Sequence, residues 1–320
     1  MNFLKLLFAG VAASAFLLAS CGPKKDVKQG VVVGATPLQD IVTVNSAGQL
    51  SSLWTERGYK KITVIRISAN SGLAALSGAE AELVGAALKK AKPDKLKMDP
   101  VLRDNSSADL FMPLKAGVVK SFYWVVPFRT IEYYDAERRL KLLFNNETAG
   151  VHFKDIDPMK YDSGCVRGAV MGVAAAICSP LTLPPIKEPV VLSFDPDFFA
   201  PYSSELGITK LAGLRRLFEI LEKKGVRVSA CFVSAYAKSA YAKPYHKYLA
   251  GQIVDVLKDP GILKKAEPPA IWSYWDNADR LILSGEGRQA VKYISGRLKD
   301  YPKDEHLKLF LAEAQRMSAH

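Results

Sequence analysis

The sequence predicts an α/β fold with a mainly parallel sheet, followed by a small all-α segment. Three observations carry that prediction. From residue 31 onward, short apolar runs of strand length alternate with stretches of helical periodicity, as β-α-β units require. One helix is unambiguous: in ITKLAGLRRLFEILEKKG (208–225) Leu211, Leu214, Phe218 and Leu221 share a face, Lys and Glu fill the other, and Gly225 caps the end. The run VRVSACFV (226–233) follows at once, as a crossover into a neighbouring strand demands. After residue 271 the strand signal disappears.

Taken in order, strands are predicted at DIVTV (40–44), KITVIRI (61–67), SFYWVV (121–126), RLKLLF (139–144), VVLSF (190–194) and VRVSACFV (226–233). Besides 208–225, a helix is predicted at SGAEAELVGAALKKA (77–91). Residues 145–186 are less regular, and CVRGAVMGVAAAIC (165–178) reads equally as a small-residue strand or a buried helix. The prolines of LTLPPIKEP (181–189) mark a loop. Residues 272–320 read as three helices separated by SGEG and DYPKD. The spacing of Ala278, Ala290 and Pro302, with Leu281 and Ile294 between, resembles one tetratricopeptide repeat followed by a capping helix. A single repeat cannot bury its own face, so these helices are expected to bracket the main domain or to hold a protein partner.

The 320 residues are 49% hydrophobic and 24% charged, a globular balance with enough apolar side chains for a sizeable core. The first segment stands apart. MNFLKLLFAGVAASAFLLASC has one early Lys, an apolar run too short for a stable span, and small residues before Cys21. Leu18, Ala19, Ser20 and Cys21 resemble the lipobox of bacterial lipoproteins. That resemblance implies loss of residues 1–20, diacylglycerol on the Cys21 thiol and anchoring in the cell envelope. Gly22 is not the Asp that retains lipoproteins in the inner membrane, which favours the outer membrane. GPKKDVKQG (22–30) then reads as a polar tether, and residues 31–271 as the α/β domain.

The formal net charge is +12, and Lys24, Lys25 and Lys28 sit beside the anchor, where anionic lipid attracts them. No basic motif interleaved with aromatics supports nucleic-acid binding. In an oxidising compartment Cys165 and Cys178 are candidates to pair, while Cys231, in the apolar run VSACFV, reads as a buried thiol. No C-x-x-C occurs, so redox and haem chemistry have no support.

The candidate chemistry lies in VVLSFDPDFFAP (190–201), where an apolar strand ends in Asp195 and Asp197, a common way to present oxygen ligands to a metal. The other reading of such acids is that they accept hydrogen bonds from loop amides or cap the following helix. Four segments resemble, in order and spacing, the arginase and deacetylase superfamily, closest to its branch that includes peptide arginases: residues 40–73, 108–128, 181–201 and 226–242. That resemblance implies a three-layer arginase-like domain. It also implies two Mn-type ions held by His and Asp at the C-terminal ends of the strands, with a bridging hydroxide that attacks a guanidinium carbon.

By position, the first His of the family falls at Ser46, and its D-A-H-x-D falls on Ser68, Ala69, Asn70, Ser71 and Gly72. Only Asp195 and Asp197 keep the ligand type. Two carboxylates do not supply the anionic donors that a pair of dications requires. The resemblance therefore implies a polar pocket of Ser46, Ser68, Asn70, Gly72, Asp195 and Asp197 without catalytic residues or cofactor. The alternative is a hydrolase of guanidinium or amide C–N bonds with a single Mn-type cation on Asp195 and Asp197, completed by His152 or Asp157. His152, with Asp155 and Asp157 nearby, shows no ligand spacing such as H-x-x-x-H, and His246 reads as helical without a carboxylate partner at metal spacing. No nucleophile elbow or phosphate loop is present. The expectation is an envelope lipoprotein that binds a ligand or protein.

Overall fold

In a computed structural model, the described residues are 30–45, 47–73, 79, 82, 110–128, 135–138, 158–235, 241, 243–265 and 267–319. Among them, strand β1 (Val31–Val32) leads to β2 (Ile41–Val44), helix α1 (Ala47–Glu56) and β3 (Ile62–Ile67). Helix α2 (Phe111–Lys115) and β4 (Val119–Val125) follow, then β5 (Lys160–Asp162), β6 (Cys165–Val170), β7 (Val173–Cys178) and β8 (Val190–Phe194). Helices α3 (Phe199–Leu206) and α4 (Lys210–Lys223) precede β9 (Arg227–Ser234). The chain ends in α5 (Tyr248–Lys258), α6 (Gly261–Lys264), α7 (Ala270–Leu283), α8 (Gly287–Asp300) and α9 (Glu305–Ser318).

The strands form one mixed sheet in the order β1, β9, β8, β3, β4, β7, β6, β5, with β2 also pairing with β9. Strands β2, β9, β8, β3, β4 and β7 are mutually parallel, whereas β1, β6 and β5 join antiparallel at the two margins. The predicted α/β class with a mainly parallel sheet is therefore what the structure has. From β3 the chain steps to β4 and β7 on one side, and from β8 it steps to β9 on the other. Adjacent strands β3 and β8 thus form the switch point of the sheet, the place where open α/β sheets hold ligands beyond their carboxyl ends.

Both faces are covered, which is why the central strands read as continuous apolar runs. Alternation sends Ile65, Ile67, Leu192, Phe194, Cys231 and Val233 into a core with α3, α4, α5 and the C-terminal helices. Val64, Phe122, Trp124, Val191, Ala230 and Phe232 pack on the other face with Leu50 and Trp54 of α1 and Leu114 of α2. Helix α4 starts where Thr209 accepts a hydrogen bond from the Ala212 amide, and the chain leaves it through Gly225 in the left-handed region, φ +63°.

The three C-terminal helices predicted after residue 271 are present as α7, α8 and α9, the first beginning slightly earlier, at Ala270. Ala278, Leu281, Ala290, Ile294 and Phe310 belong to the same core as one sheet face, so these helices share the hydrophobic interior of the main unit. The segment 165–178 resolves into a hairpin, not one strand or a helix. Met171 and Gly172 both take positive φ, 53° and 76°, as a two-residue turn between right-twisting strands requires. That turn places Cys165 opposite Cys178, with Cα atoms 4.5 Å apart and the sulfurs bonded. The strand predicted at 121–126 begins earlier, at Val119. Most of the helix predicted at 77–91, and the strand predicted at 139–144, lie outside the described residues.

Candidate functional site

The loop Ser68–Gly72 leaves β3, and Asp195 and Asp197 leave β8, so adjacent parallel strands bring the two sequence-predicted groups together. The Asp195 amide donates to the Ile67 carbonyl at 2.8 Å, extending the pairing by one step beyond the strands. Asp195 then caps a single 3-10 turn, Pro196–Phe198, accepting from the Asp197 amide at 3.4 Å. That turn points Asp197 back across the gap. Its Oδ1 accepts from the Ser68 hydroxyl at 3.0 Å and from the Ala69 amide at 2.9 Å, and its Oδ2 accepts from the Asn70 side-chain amide at 2.8 Å. Gly72 follows with φ +70°, a turn suited to glycine, and its amide donates to Asn70 Oδ1 at 3.2 Å.

The group that completes this arrangement is Arg66, which the sequence reading did not single out. It stands in the middle of β3, paired in register with Ser193 of β8 and Trp124 of β4, and it is 1% exposed. Its Nε donates to the Asn70 carbonyl at 3.0 Å, one Nη to Asn70 Oδ1 at 2.8 Å and the other to Ser193 Oγ at 3.3 Å. The guanidinium also lies 3.6 Å from Asp195 Oδ2. Trp124 donates its indole N–H to the Ser68 carbonyl at 2.9 Å, fixing the loop from below. The signal that reveals Arg66 is its place as the lone charge in ITVIRI: a charge in a doubly covered strand is tolerated only when paired and hydrogen-bonded.

This geometry can be tested against the metal centre that the family resemblance implies. Both oxygens of Asp197 face protein donors, and Asp195 faces a fixed guanidinium that already supplies positive charge beside it. A dication drawing on these acids would have to displace three donors and approach Arg66 against electrostatic repulsion. Among the described residues, no group of three or more His, Cys, Asp and Glu side chains is arranged to hold a metal. Among the described residues, the donor set does not fit a pair of such ions.

Ser68, Asn70, Gly72, Asp195 and Asp197 thus converge, though on one another, with Ser68, Asp195 and Asp197 buried. Cys21, Ser46, His152, Asp155 and Asp157 lie outside the described residues. Cys165 and Cys178 sit in the antiparallel margin of the sheet and take no part.

A second buried cluster ties the C-terminal helices to the domain. Lys210, at the start of α4, pairs with Asp279 of α7, and His246 Nε2 lies 3.0 Å from the other oxygen of that carboxylate. His246, read from the sequence as helical and without a carboxylate at metal spacing, stands on a 3-10 turn, Pro244–Lys247, and takes its partner Asp279 from far along the chain. Burial lowers the His246 pKa, partly opposed by the Asp279 hydrogen bond. The ring is therefore neutral near neutral pH and donates from Nε2. Burial pushes Asp279 upward, but the His246 hydrogen bond and the charge of Lys210 outweigh it and hold the carboxyl below its usual range. Asp276 adds a hydrogen bond from the Leu211 amide at 3.2 Å.

No protein-family model matches the chain, and the searches of curated proteins and of solved structures return no match.

Proposed function

We propose that this protein is an envelope lipoprotein whose arginase-like, three-layer domain has given up the metal centre and serves in ligand or protein binding. One observation carries the reading: the two acids that match the ligand type are held by Ser68, Ala69, Asn70 and Arg66 of the same chain. The guanidinium that a ureohydrolase would receive as substrate is here, in this reading, a side chain of the protein. Parallel strands with helices on both faces, and acids at the switch point of β3 and β8, support the scaffold assignment. The lipobox resemblance of residues 18–21 supports anchoring through Cys21.

Metal analysis of the purified protein tests the reading, together with melting in the presence and absence of Mn. The expected result is no stoichiometric Mn, Zn or Fe and no Mn-dependent rise in melting temperature. Bound metal that disappears in Asp195→Ala, or chelator-sensitive hydrolysis of a guanidinium or amide C–N bond, would overturn it in favour of the hydrolase.

A further inference from the structure

We infer that the N-terminal ends of the parallel strands form a docking face for an anionic phospholipid surface. This inference rests on the reading of Cys21 as a lipid anchor and adds a second contact made by the folded domain. Parallel neighbours β4, β3, β8 and β9 begin along one edge of the sheet, and basic side chains stand at each start. Lys60 and Lys61 precede β3, Lys120 is the second residue of β4, Lys187 precedes β8, Lys223 closes α4 just before β9, and Arg227 opens β9. All six are exposed. At Lys61 the backbone is left-handed, φ +52°, a conformation that glycine takes without cost, yet a lysine occupies it.

The acids at this end do not cancel the charge. Glu188 is engaged by Lys120 and Thr63, which hold its carboxyl below the usual range. Glu222 pairs with Lys264, Asp40 pairs with Arg57, and Glu56 accepts from the Ser52 hydroxyl. Lys60, Lys61, Lys187 and Lys223 have no ion pair among the described residues. An unneutralised basic face of this kind is complementary to anionic headgroups, and its attraction acts within about a Debye length of the surface.

The position of the tether selects the membrane as the occupant. Gly30, the first described residue, lies against Pro189 and the start of β9, and Arg227 Nε donates to its carbonyl at 3.3 Å. The segment from Cys21 to Gly30 spans at most roughly 30 Å when fully extended, at about 3.5 Å per residue. A lipid on Cys21 therefore holds the bilayer within reach of this edge. It follows that Asp195 and Asp197, at the opposite ends of the same strands, face away from the membrane.

The test uses the chain from residue 22, which keeps every described residue, in sedimentation with phosphatidylcholine vesicles made with and without phosphatidylglycerol. Binding is expected only with phosphatidylglycerol and is expected to weaken as salt rises. Each surface lysine contributes about a fivefold change, so Lys60→Glu with Lys61→Glu should weaken binding at least tenfold. Lys187→Glu with Lys223→Glu, at exposed positions on other elements, should do the same and guards against misfolding of one pair. Equal binding to neutral vesicles would overturn the inference. So would a loss produced by charge reversal of Lys24, Lys25 and Lys28 alone, or equal affinity for duplex DNA. The mass of the mature N-terminus reports the anchor separately: an unmodified Cys21 refutes the lipoprotein reading, whereas failure of both lysine pairs to alter vesicle binding refutes the docking face.

Discussion

The Arg66 guanidinium lies 3.6 Å from the Asp195 carboxylate, and both side chains are buried at the switch point of the sheet. Removing one member of such a pair leaves the other charged and desolvated. Arg66→Met is therefore expected to cost about 3–5 kcal/mol in urea unfolding. Asp195→Asn in the same chain removes the stranded charge, so the double variant should be clearly more stable than the sum of the single losses predicts. Strict additivity would show that the two groups do not interact.

Asp197 makes a different prediction because its work is done by accepting hydrogen bonds. It draws donors from Ser68, Ala69 and Asn70, joining the loop after β3 to the turn after β8. Asp197→Asn replaces one acceptor oxygen with a donor that faces another donor. The expected loss is about 1–3 kcal/mol, read by chemical denaturation. Unchanged stability would mean that the carboxylate is not what holds these loops together.

The alternation of apolar runs and helical patterns was enough to locate β2, β3, β8, β9 and α4, since each buries a contiguous or periodic set of apolar side chains. Ser68, Asn70, Asp195 and Asp197 stand in the sequence just after two apolar runs, and the register of β3 on β8 is what brings them beside one another. Arg66 was not legible, because its partners lie both four residues along the chain and on another strand, and only the sheet register brings Ser193 and Asp195 to it. The same holds for Lys210. It reads as part of the solvated face of α4, yet the packing of α7 buries it against Asp279. The hairpin of β6 and β7 was hidden by its composition: Gly and Ala fill six of the fourteen positions of 165–178, and small side chains carry little periodic signal.

The disulfide between Cys165 and Cys178 closes β6 and β7 into a loop with a sequence separation of 13. In the chain-entropy account, a loop of this length restrains the unfolded chain by about 3 kcal/mol. Reduction is therefore expected to lower the melting temperature, and a Cys165→Ala, Cys178→Ala variant should melt at the reduced temperature with or without reductant. A wild-type melting curve insensitive to reductant would count against the bond as a stabilising element. Cys231 is the control. Buried in β9 with its thiol pKa pushed well above the usual value by desolvation, it should resist alkylation in the folded protein.

The cluster at the base of the C-terminal helices predicts how stability responds to acid. Burial holds the folded pKa of His246 below its ordinary value of 6.5, so its contribution is complete above that value and declines as pH falls toward the folded pKa. His306, also lowered chiefly by burial, acts in the same window and in the same direction. Asp279 is lowered too, but from 3.8, so its contribution fades only at more acidic pH. Unfolding free energy is therefore expected to fall as pH drops from about 7 through the ordinary histidine value of 6.5, ahead of Asp279, while Asp276, raised chiefly by burial, acts in the opposite sense at more acidic pH. His246→Gln removes one titrating ring while retaining an amide able to donate to Asp279, so it should flatten part of that decline and leave the share of His306. Melting curves of the two proteins across this range test the assignment, and parallel curves would show that His246 does not set the acid sensitivity.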